Sequence, residues 1–583
     1  MRPLVPRTLC CVGLFLTLLL PLALIGCGGV GGSTASNTAG SPQNQNPPAP
    51  PTTTGSGNTP PTGSVQSIQH VIFMLQENRS FDTYFGMLNP YRHANGWNIG
   101  DDGKDYEVDG IDDKLGISNV DDAGTAFSLF KFTTTCVDDM TSAWLESYGD
   151  VNRYDFSALT PTTSARPILM DGFVHTAEGY AASGSGDGSF TDLVGQRAMG
   201  YYDQGFLNYY YYMASQFAVS DRWFSPVSSK STPNRIATMT GGTTQGLTKD
   251  PFVDDKFTSQ LTIPTIFGEL DKAGVSWKIY YSINESGCLD KDGECSSGKG
   301  SAFPVTTFAN FTESYKYLHA PQSGVCAPPT IPSGQAVGDP SNSFCIDPAH
   351  IAPLSQYFLD VQHGTLPSYA FIEAGYGVND EHPGSGQSIL AGQAEVASII
   401  NYLMNSPSWA SSVFFLSYDE PGGPYDHVPP VPGHSNDNTD ASLGSIPDIS
   451  SIAVNADTYF PCVPSGGTPT LHCDLSATDP GAVPTDAPAQ NGFAAQLGFR
   501  LPNMIISPFT RRHYVSHTPM DHTAIIRFVE DRFIGDGKYL TQRDAKQPNL
   551  LEFFDFNNVP WATAPTPPQA QGIGSSCHPA TMQ

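Results

Sequence analysis

Glu77-Asn78-Arg79-Ser80-Phe81-Asp82 places a carboxylate and a carboxamide directly after the apolar run His70-Val71-Ile72-Phe73-Met74-Leu75-Gln76. A second apolar run, Val413-Phe414-Phe415-Leu416-Ser417-Tyr418, ends in Asp419-Glu420-Pro421-Gly422-Gly423. Between them lies a hydroxyl-rich turn, Ser231-Thr232-Pro233-Asn234-Arg235. Glu77, Asn78, Asp419 and Glu420 are hard oxygen donors suited to a divalent cation, and Asn78 can instead donate a hydrogen bond to a phosphate. A phosphate ester resists hydrolysis because its charge repels a nucleophile. An activated hydroxyl, a cation on the phosphoryl oxygens and an acid for the leaving oxygen together overcome that. Alone, an acidic pair after a strand is a solvated turn and a Ser-Thr-Pro run is a cap. The combination of the three segments points to metal-assisted phosphoryl transfer.

These residues need elements that bring them together. Both apolar runs read as buried strands, and in open α/β sheets the chemistry sits outside the carboxyl ends of the strands. Further strand-like runs are Val275 to Tyr281, Tyr369 to Ile372 and Met504 to Ser507. Val396, Ile399, Ile400 and Leu403 recur with helical spacing, and Ile525, Phe528 and Val529 mark another helix opened by Asp521-His522-Thr523. The alternation predicts an α/β fold, a mainly parallel central sheet with helices on both faces. The turn-rich stretches Cys288 to Cys345 and Asn436 to Asn491 read as insertions bordering the site.

The segments HVIFMLQENRSFDTYFG, MDGF, STPNR, EHP, YDEPGGPYDHVPP, LGFRLPNMIISP and DHTAIIRF follow one another across most of the chain. In them the chain resembles the bacterial phosphoesterase family of non-haemolytic phospholipases C and acid phosphatases, which has an alkaline-phosphatase-like fold. ENRSFD and the Tyr-Asp-Glu segment with its Gly-Gly and Asp-His are long and specific; EHP or DHT alone would mean little. The resemblance implies one divalent metal cation held by Glu77, Asn78, Asp419 and Glu420 together with the nucleophile oxygen. In similar enzymes a Thr or Ser two residues before the Pro is the nucleophile, here Ser231, with Ser228, Ser229 and Thr232 close by. Arg235 contacts phosphate or packs structurally. His382 and His522 are implied as phosphate-contacting or proton-donating groups, and Asp426 and His427 as a brace behind the metal loop. One departure stands out: related enzymes carry His-x-Trp upstream of MDGF, where this chain has Ser142-Ala143-Trp144. His175 is the nearest replacement.

The chain of 583 residues carries 56 Asp plus Glu against 28 Lys plus Arg, a formal charge of −28. Such a surface disfavours nucleic acid and anionic lipid. Arg2 and Arg7 precede an apolar core from Val12 to Leu24, then Leu24-Ile25-Gly26-Cys27, a lipobox pattern. Residues 1–27 are therefore expected to be a lipoprotein signal and residues 28–64 an uncharged, disordered tether. Residues 65–562 are the expected catalytic domain and 563–583 a tail. No separate lipid-docking module is expected after the catalytic match. The expected address is the bacterial envelope, at the outer membrane or periplasmic face, with the membrane reached through lipid on Cys27. An even set of eight remaining cysteines favours disulfides; short separations suggest Cys288 with Cys295, Cys326 with Cys345 and Cys462 with Cys473, with Cys136 and Cys577 left for each other, and the sequence leaves the connectivity open.

The expected activity is metal-dependent hydrolysis of a phosphoric ester, phospholipid or small phosphomonoester, through phosphoserine. A serine carboxylesterase is the rival enzyme class, although no G-x-S-x-G elbow occurs. A non-catalytic surface-binding lipoprotein is the rival without chemistry.

Overall fold

The computed structural model describes residues 63–152, 168–183, 190–242, 264–282, 288–289, 335–336, 350–375, 379–430, 438–439, 442, 497–535 and 537–572. The signal segment, the tether up to residue 62 and most expected cysteine partners lie outside the described residues.

Eight strands form the main sheet: β1 His70–Gln76, β2 Ala218–Ser220, β3 Trp277–Tyr281, β4 Ile351–Pro353, β5 Tyr369–Glu373, β6 Ser412–Tyr418, β7 Met504–Ile506 and β8 Tyr514–Ser516. Their spatial order is β4-β3-β5-β1-β6-β7-β2-β8. All neighbours pair in parallel except β7, which runs against both β6 and β2. The sheet is thus mostly parallel, as the alternation of elements predicts.

β1 lies at its centre. A parallel strand covered on both faces reads as a continuous apolar run, and Val71 through Leu75 are all fully buried. Every residue of β6 is buried as well. Phe73 meets Phe371 of β5 edge to face at 5.6 Å. The register sets Leu75 opposite Glu373 and Gln76 opposite Tyr418, so three strands end level with one another.

Six helices matter for the site: α1 Phe81–Phe85, α2 Phe173–Ser183, α3 Asn208–Gln216, α4 Ser231–Met239, α5 Ile389–Met404 and α6 Thr523–Val529. Ser388 caps α5 through its hydroxyl, which accepts from the Leu390 amide. Val396, Ile399, Ile400 and Leu403 are buried, which is the apolar stripe their spacing calls for.

The five expected strands are all present, with ends shifted by up to two residues. β2, β4 and β8 have only three residues each, too few for alternation to show in a sequence. No described helix is long and apolar enough to cross a membrane.

Candidate active site

β5, β1 and β6 each finish in a carboxylate at the same edge of the sheet. Glu373 closes β5, Glu77 follows β1 and Asp419 follows β6. The Asp419 amide donates to the Gln76 carbonyl at 2.9 Å, which carries the ladder one step further and sets Asp419 beside Glu77. Asn78 then turns the chain with a φ of 57°, a left-handed conformation that Asn enters more readily than most residues. Its amide donates to Asp419 Oδ1 at 3.3 Å. Gly422 lies against this turn with a φ of 75°, and a Cβ there would stand 2.6 Å from the Asn78 carbonyl oxygen. Glycine lets the two motif turns close on each other.

α4 brings the hydroxyl. Ser231 is its first residue, and Pro233 falls in the first turn, where a missing N–H costs little. Asn234 ties down the preceding turn: it accepts from the Val227 amide at 2.9 Å and donates to the Ser229 carbonyl at 2.7 Å. Ser231 and Arg235, four residues apart, share one helix face, and that face meets the strand ends. Ser231 Oγ lies 3.3 Å from Glu77 Oε2, 3.5 Å from Asn78 Oδ1 and 3.5 Å from Glu420 Oε1. Ser229, in contrast, is buried with no hydrogen-bond partner for its Oγ.

Arg235 is placed one turn deeper. Its guanidinium pairs with Glu77 at 2.5 Å, with Asp419 at 3.3 Å and with Glu373. Burial works against its charge, but the three carboxylates outweigh that and raise its pKa. Of the two roles the sequence allows Arg235, these contacts favour structural packing beneath the site over contact with phosphate.

The donor set fits a divalent cation. A serine hydroxyl has one proton to give, yet three acceptor oxygens surround Ser231. Glu77, Glu373 and Asp419 pair with one guanidinium and Glu420 reaches the same hydroxyl as Glu77, so among the described residues acidic oxygens crowd the site. Burial pushes Glu77 up to about 8, with Asp419 adding to the effect, and burial likewise pushes Glu373 up to about 8. Hard oxygens so crowded suit a small hard cation, and Glu77, Asn78, Asp419, Glu420 and Ser231 are placed to hold it.

The two candidate histidines part company. His382 keeps 16 % of its side chain exposed, and its Nδ1 donates to the Pro383 carbonyl at 2.5 Å. Burial disfavours its charged form, but Asp139, Glu77 and Asp380 outweigh this and raise its pKa. His522 is fully buried, with Nδ1 2.9 Å from Thr238 Oγ1 and Nε2 3.1 Å from Ser417 Oγ. Its ring packs on Phe73 and Trp223. Burial, then Arg235, lowers its pKa to about 3. Such a ring is neutral at physiological pH and has both nitrogens engaged. This is the setting of a core histidine, not of the proton donor the sequence allowed.

Glu381, beside His382, was not singled out by sequence. Its buried carboxylate accepts phenolic hydrogen bonds from Tyr84 at 2.6 Å, Tyr210 at 2.5 Å and Tyr418 at 2.7 Å. Burial raises it to about 7 against the pull of those three hydroxyls. It fastens the Glu-His-Pro turn to α1, α3 and the end of β6. Glu373 was missed too, although it ends its strand as Glu77 follows β1.

Asp426 and His427 belong to a second charged cluster. His427 Nδ1 lies 2.7 Å from Asp82 Oδ2 and Nε2 lies 3.0 Å from Asp109 Oδ1. Arg500 pairs with Asp82 at 2.8 Å and with Asp426 at 2.9 Å. The ligand atoms of Asp82, Asp426 and His427 lie within 4.8 Å of one another, a spacing that a metal could use. Arg500 already supplies positive charge there. Asp82 ends the ENRSFD segment, so the two long motifs meet twice, at Asp419 and again at His427. His175, on α2, is paired with Asp122.

The phosphoesterase family model matches residues 68–534. The chain belongs to the phosphoesterase family, a class of phosphoric ester hydrolases. It is 26% identical over 514 residues to a haemolytic phospholipase C of Pseudomonas aeruginosa, covering 85% of this chain and 57% of that protein. It is 25% identical over 544 residues to phospholipase C B of Mycobacterium tuberculosis, covering 87% and 82%. Non-specific phospholipase C1 of Arabidopsis thaliana is 24% identical over 514 residues, covering 85% and 73%. The chain thus spans little more than half of the Pseudomonas relative and most of the mycobacterial one.

Proposed function

We propose that this protein is a metal-dependent phosphoric ester hydrolase of the phospholipase C type, acting through phosphoserine at Ser231. The observation that carries the reading is the Ser231 hydroxyl set within 3.5 Å of oxygens from Glu77, Asn78 and Glu420. A divalent cation held there would lower the hydroxyl's pKa and offset charge on the phosphoryl oxygens. Ser231 gives up its proton to solvent and its Oγ attacks phosphorus, the bond to the leaving oxygen breaks, and His382 gives that oxygen a proton. Water then attacks phosphorus, frees the phosphoryl product and returns the proton to Ser231. The phospholipase C names of relatives from three organisms favour a phospholipid diester over a small monoester.

The test is turnover of phosphatidylcholine and of a small phosphomonoester by purified protein, with metal analysis and rapid quenching. The expected result is diacylglycerol release, loss of activity on chelation and phosphate label on Ser231. Faster turnover of the monoester would make it a phosphatase. Label elsewhere would move the nucleophile, and full activity without metal would overturn the reading.

The envelope address rests on Leu24-Ile25-Gly26-Cys27. A lipidated Cys27 is expected, and Cys27→Ser should release the protein from membranes. An unmodified amino terminus at another position, seen by mass spectrometry, would dismiss it.

A further inference from the structure

The Glu-His-Pro turn is gripped from two sides. Glu381 is held by three phenols on one side. On the other runs the segment Thr135–Asp139: the Gly384 amide donates to the Val137 carbonyl at 2.9 Å, and Ser388 Oγ donates to Thr135 Oγ1 at 2.8 Å. Gly384 has a φ of 78°, and a Cβ there would stand 2.6 Å from Asp139 Cβ. Glycine therefore allows Asp139 to come against the turn. Asp139 itself is fixed. Its Oδ1 accepts from the Met140 amide at 2.8 Å, its Oδ2 accepts from Tyr180 at 3.1 Å, and its carbonyl accepts from Arg197 Nε at 2.8 Å.

Asp139 Oδ1 lies 3.7 Å from His382 Nδ1, and its side chain is only 8 % exposed. A carbonyl only accepts, so the contact with Pro383 requires the proton on Nδ1. Nδ1 thus faces the Pro383 carbonyl and the Asp139 carboxylate, so a proton given to a substrate comes from Nε2. Asp380 joins from the same turn, its Oδ1 accepting from the His382 amide at 2.8 Å. A carboxylate beside the far nitrogen of a proton-donating imidazole holds its tautomer and favours its charged form.

We infer that Asp139 is the positioning residue for His382, fixing the ring so that Nε2–H is delivered to the leaving oxygen. This rests on the reading of His382 as the proton donor. In the step, the phosphorus–oxygen bond breaks, the leaving oxygen takes the electron pair and the Nε2 proton, and the imidazole is left neutral beside Asp139.

Leaving groups separate this role from a structural one. An alkoxide needs a proton as it departs; 4-nitrophenolate does not. The test compares full-length wild type, Asp139→Asn, His382→Asn and the double variant on dibutanoyl-phosphatidylcholine and on 4-nitrophenylphosphorylcholine. Asp139→Asn should lower kcat on the lipid on the order of 10- to 100-fold and change the nitrophenyl ester less than about threefold. In the double variant, Asp139→Asn should add nothing to the loss caused by His382→Asn. An equal loss on both esters, no loss on either, or full additivity would overturn the role of Asp139. If His382→Asn itself loses equally on both esters, the proton-donor reading falls and this inference with it. A wild type inert toward both esters would instead overturn the phospholipase C reading.

Discussion

Two buried groups of acids lie at the meeting points of the same two motifs, and they differ in how their charge is balanced. At the strand ends, Glu77, Glu373 and Asp419 pair with one guanidinium, Arg235, and Glu420 lies beside Ser231. Around His427, the carboxylates of Asp82, Asp109, Asp221 and Asp426 meet Arg222, Arg500, Lys114, His427 and His517. The second group is neutralised within the protein, with directed hydrogen bonds on its carboxylates. The first crowds acidic oxygens beside a serine hydroxyl. Buried charge that the chain itself satisfies builds a brace, and crowded buried carboxylates are what the proposed cation would offset.

The largest effect expected from breaking this contrast lies at the strand-end group. Ser231→Ala should leave the fold and the metal held by Glu77, Asn78, Asp419 and Glu420 intact and lower kcat by several orders of magnitude, because the hydroxyl proposed to form the covalent ester is gone. Single-turnover kinetics with metal analysis checks this. A variant that keeps turnover would mean direct attack by water.

The next effect falls on the brace. Arg500→Ala leaves Asp82 and Asp426 buried without their shared cation, and breaking a buried pair in this way costs about 3–5 kcal/mol. Denaturant unfolding should show that loss. If stability is unchanged, the cluster is not held by charge. If the variant gains a divalent cation there, the difference between the two groups is one of charge balance alone, since three ligand atoms already lie within 4.8 Å.

A pH series sharpens the same point. Burial disfavours the charged form of His427, but Asp82 and Asp109 outweigh it and raise its pKa above the ordinary 6.5. Its contribution is therefore fully present below about 6.5 and is lost as pH rises through the folded value. Asp82 has the opposite sign. Burial raises it, but His427 and Arg500 pull it below the ordinary 3.8, so its contribution is lost only as pH falls through that lowered value. Tm should be flat across mildly acid pH and decline on the alkaline side, and His427→Gln should flatten that decline. An unchanged slope in the variant would remove His427 from the cluster's energetics.

Much of this was legible in the sequence because long motifs state both what is buried and what is functional. ENRSFD and Asp419-Glu420 with the two glycines announced strand ends carrying oxygen donors, and the register of β1 with β6 places them side by side. The sequence reads Ser231 to Arg235 as a turn, whereas the structure makes it the start of α4 with both residues on one helix face, and only folding shows Arg235 packed beneath the site. Glu381 and Asp139 were illegible. Their partners, Tyr84, Tyr210, Tyr418 and His382, are distant in the chain, and nothing in local periodicity announces a contact made only by folding.

The smallest effect separates the two histidines. His522 is the residue that motif spacing alone would have grouped with His382. Both of its nitrogens are taken by buried hydroxyls, Thr238 and Ser417, and its pKa of about 3 keeps it from being an imidazolium at neutral pH. Its work is to join α4, which carries Ser231, to β6, which carries Asp419. His522→Gln can keep one of those two hydrogen bonds, so the expected cost is ~1–2 kcal/mol of stability. Turnover should fall less than about tenfold, equally for alkyl and nitrophenyl esters, because a small shift of α4 affects attack and not protonation. His382→Asn should discriminate between the same two esters. If His522→Gln instead loses activity selectively on the alkyl ester, the proton comes from the buried ring, and the balance of charge around α4 must be reassigned.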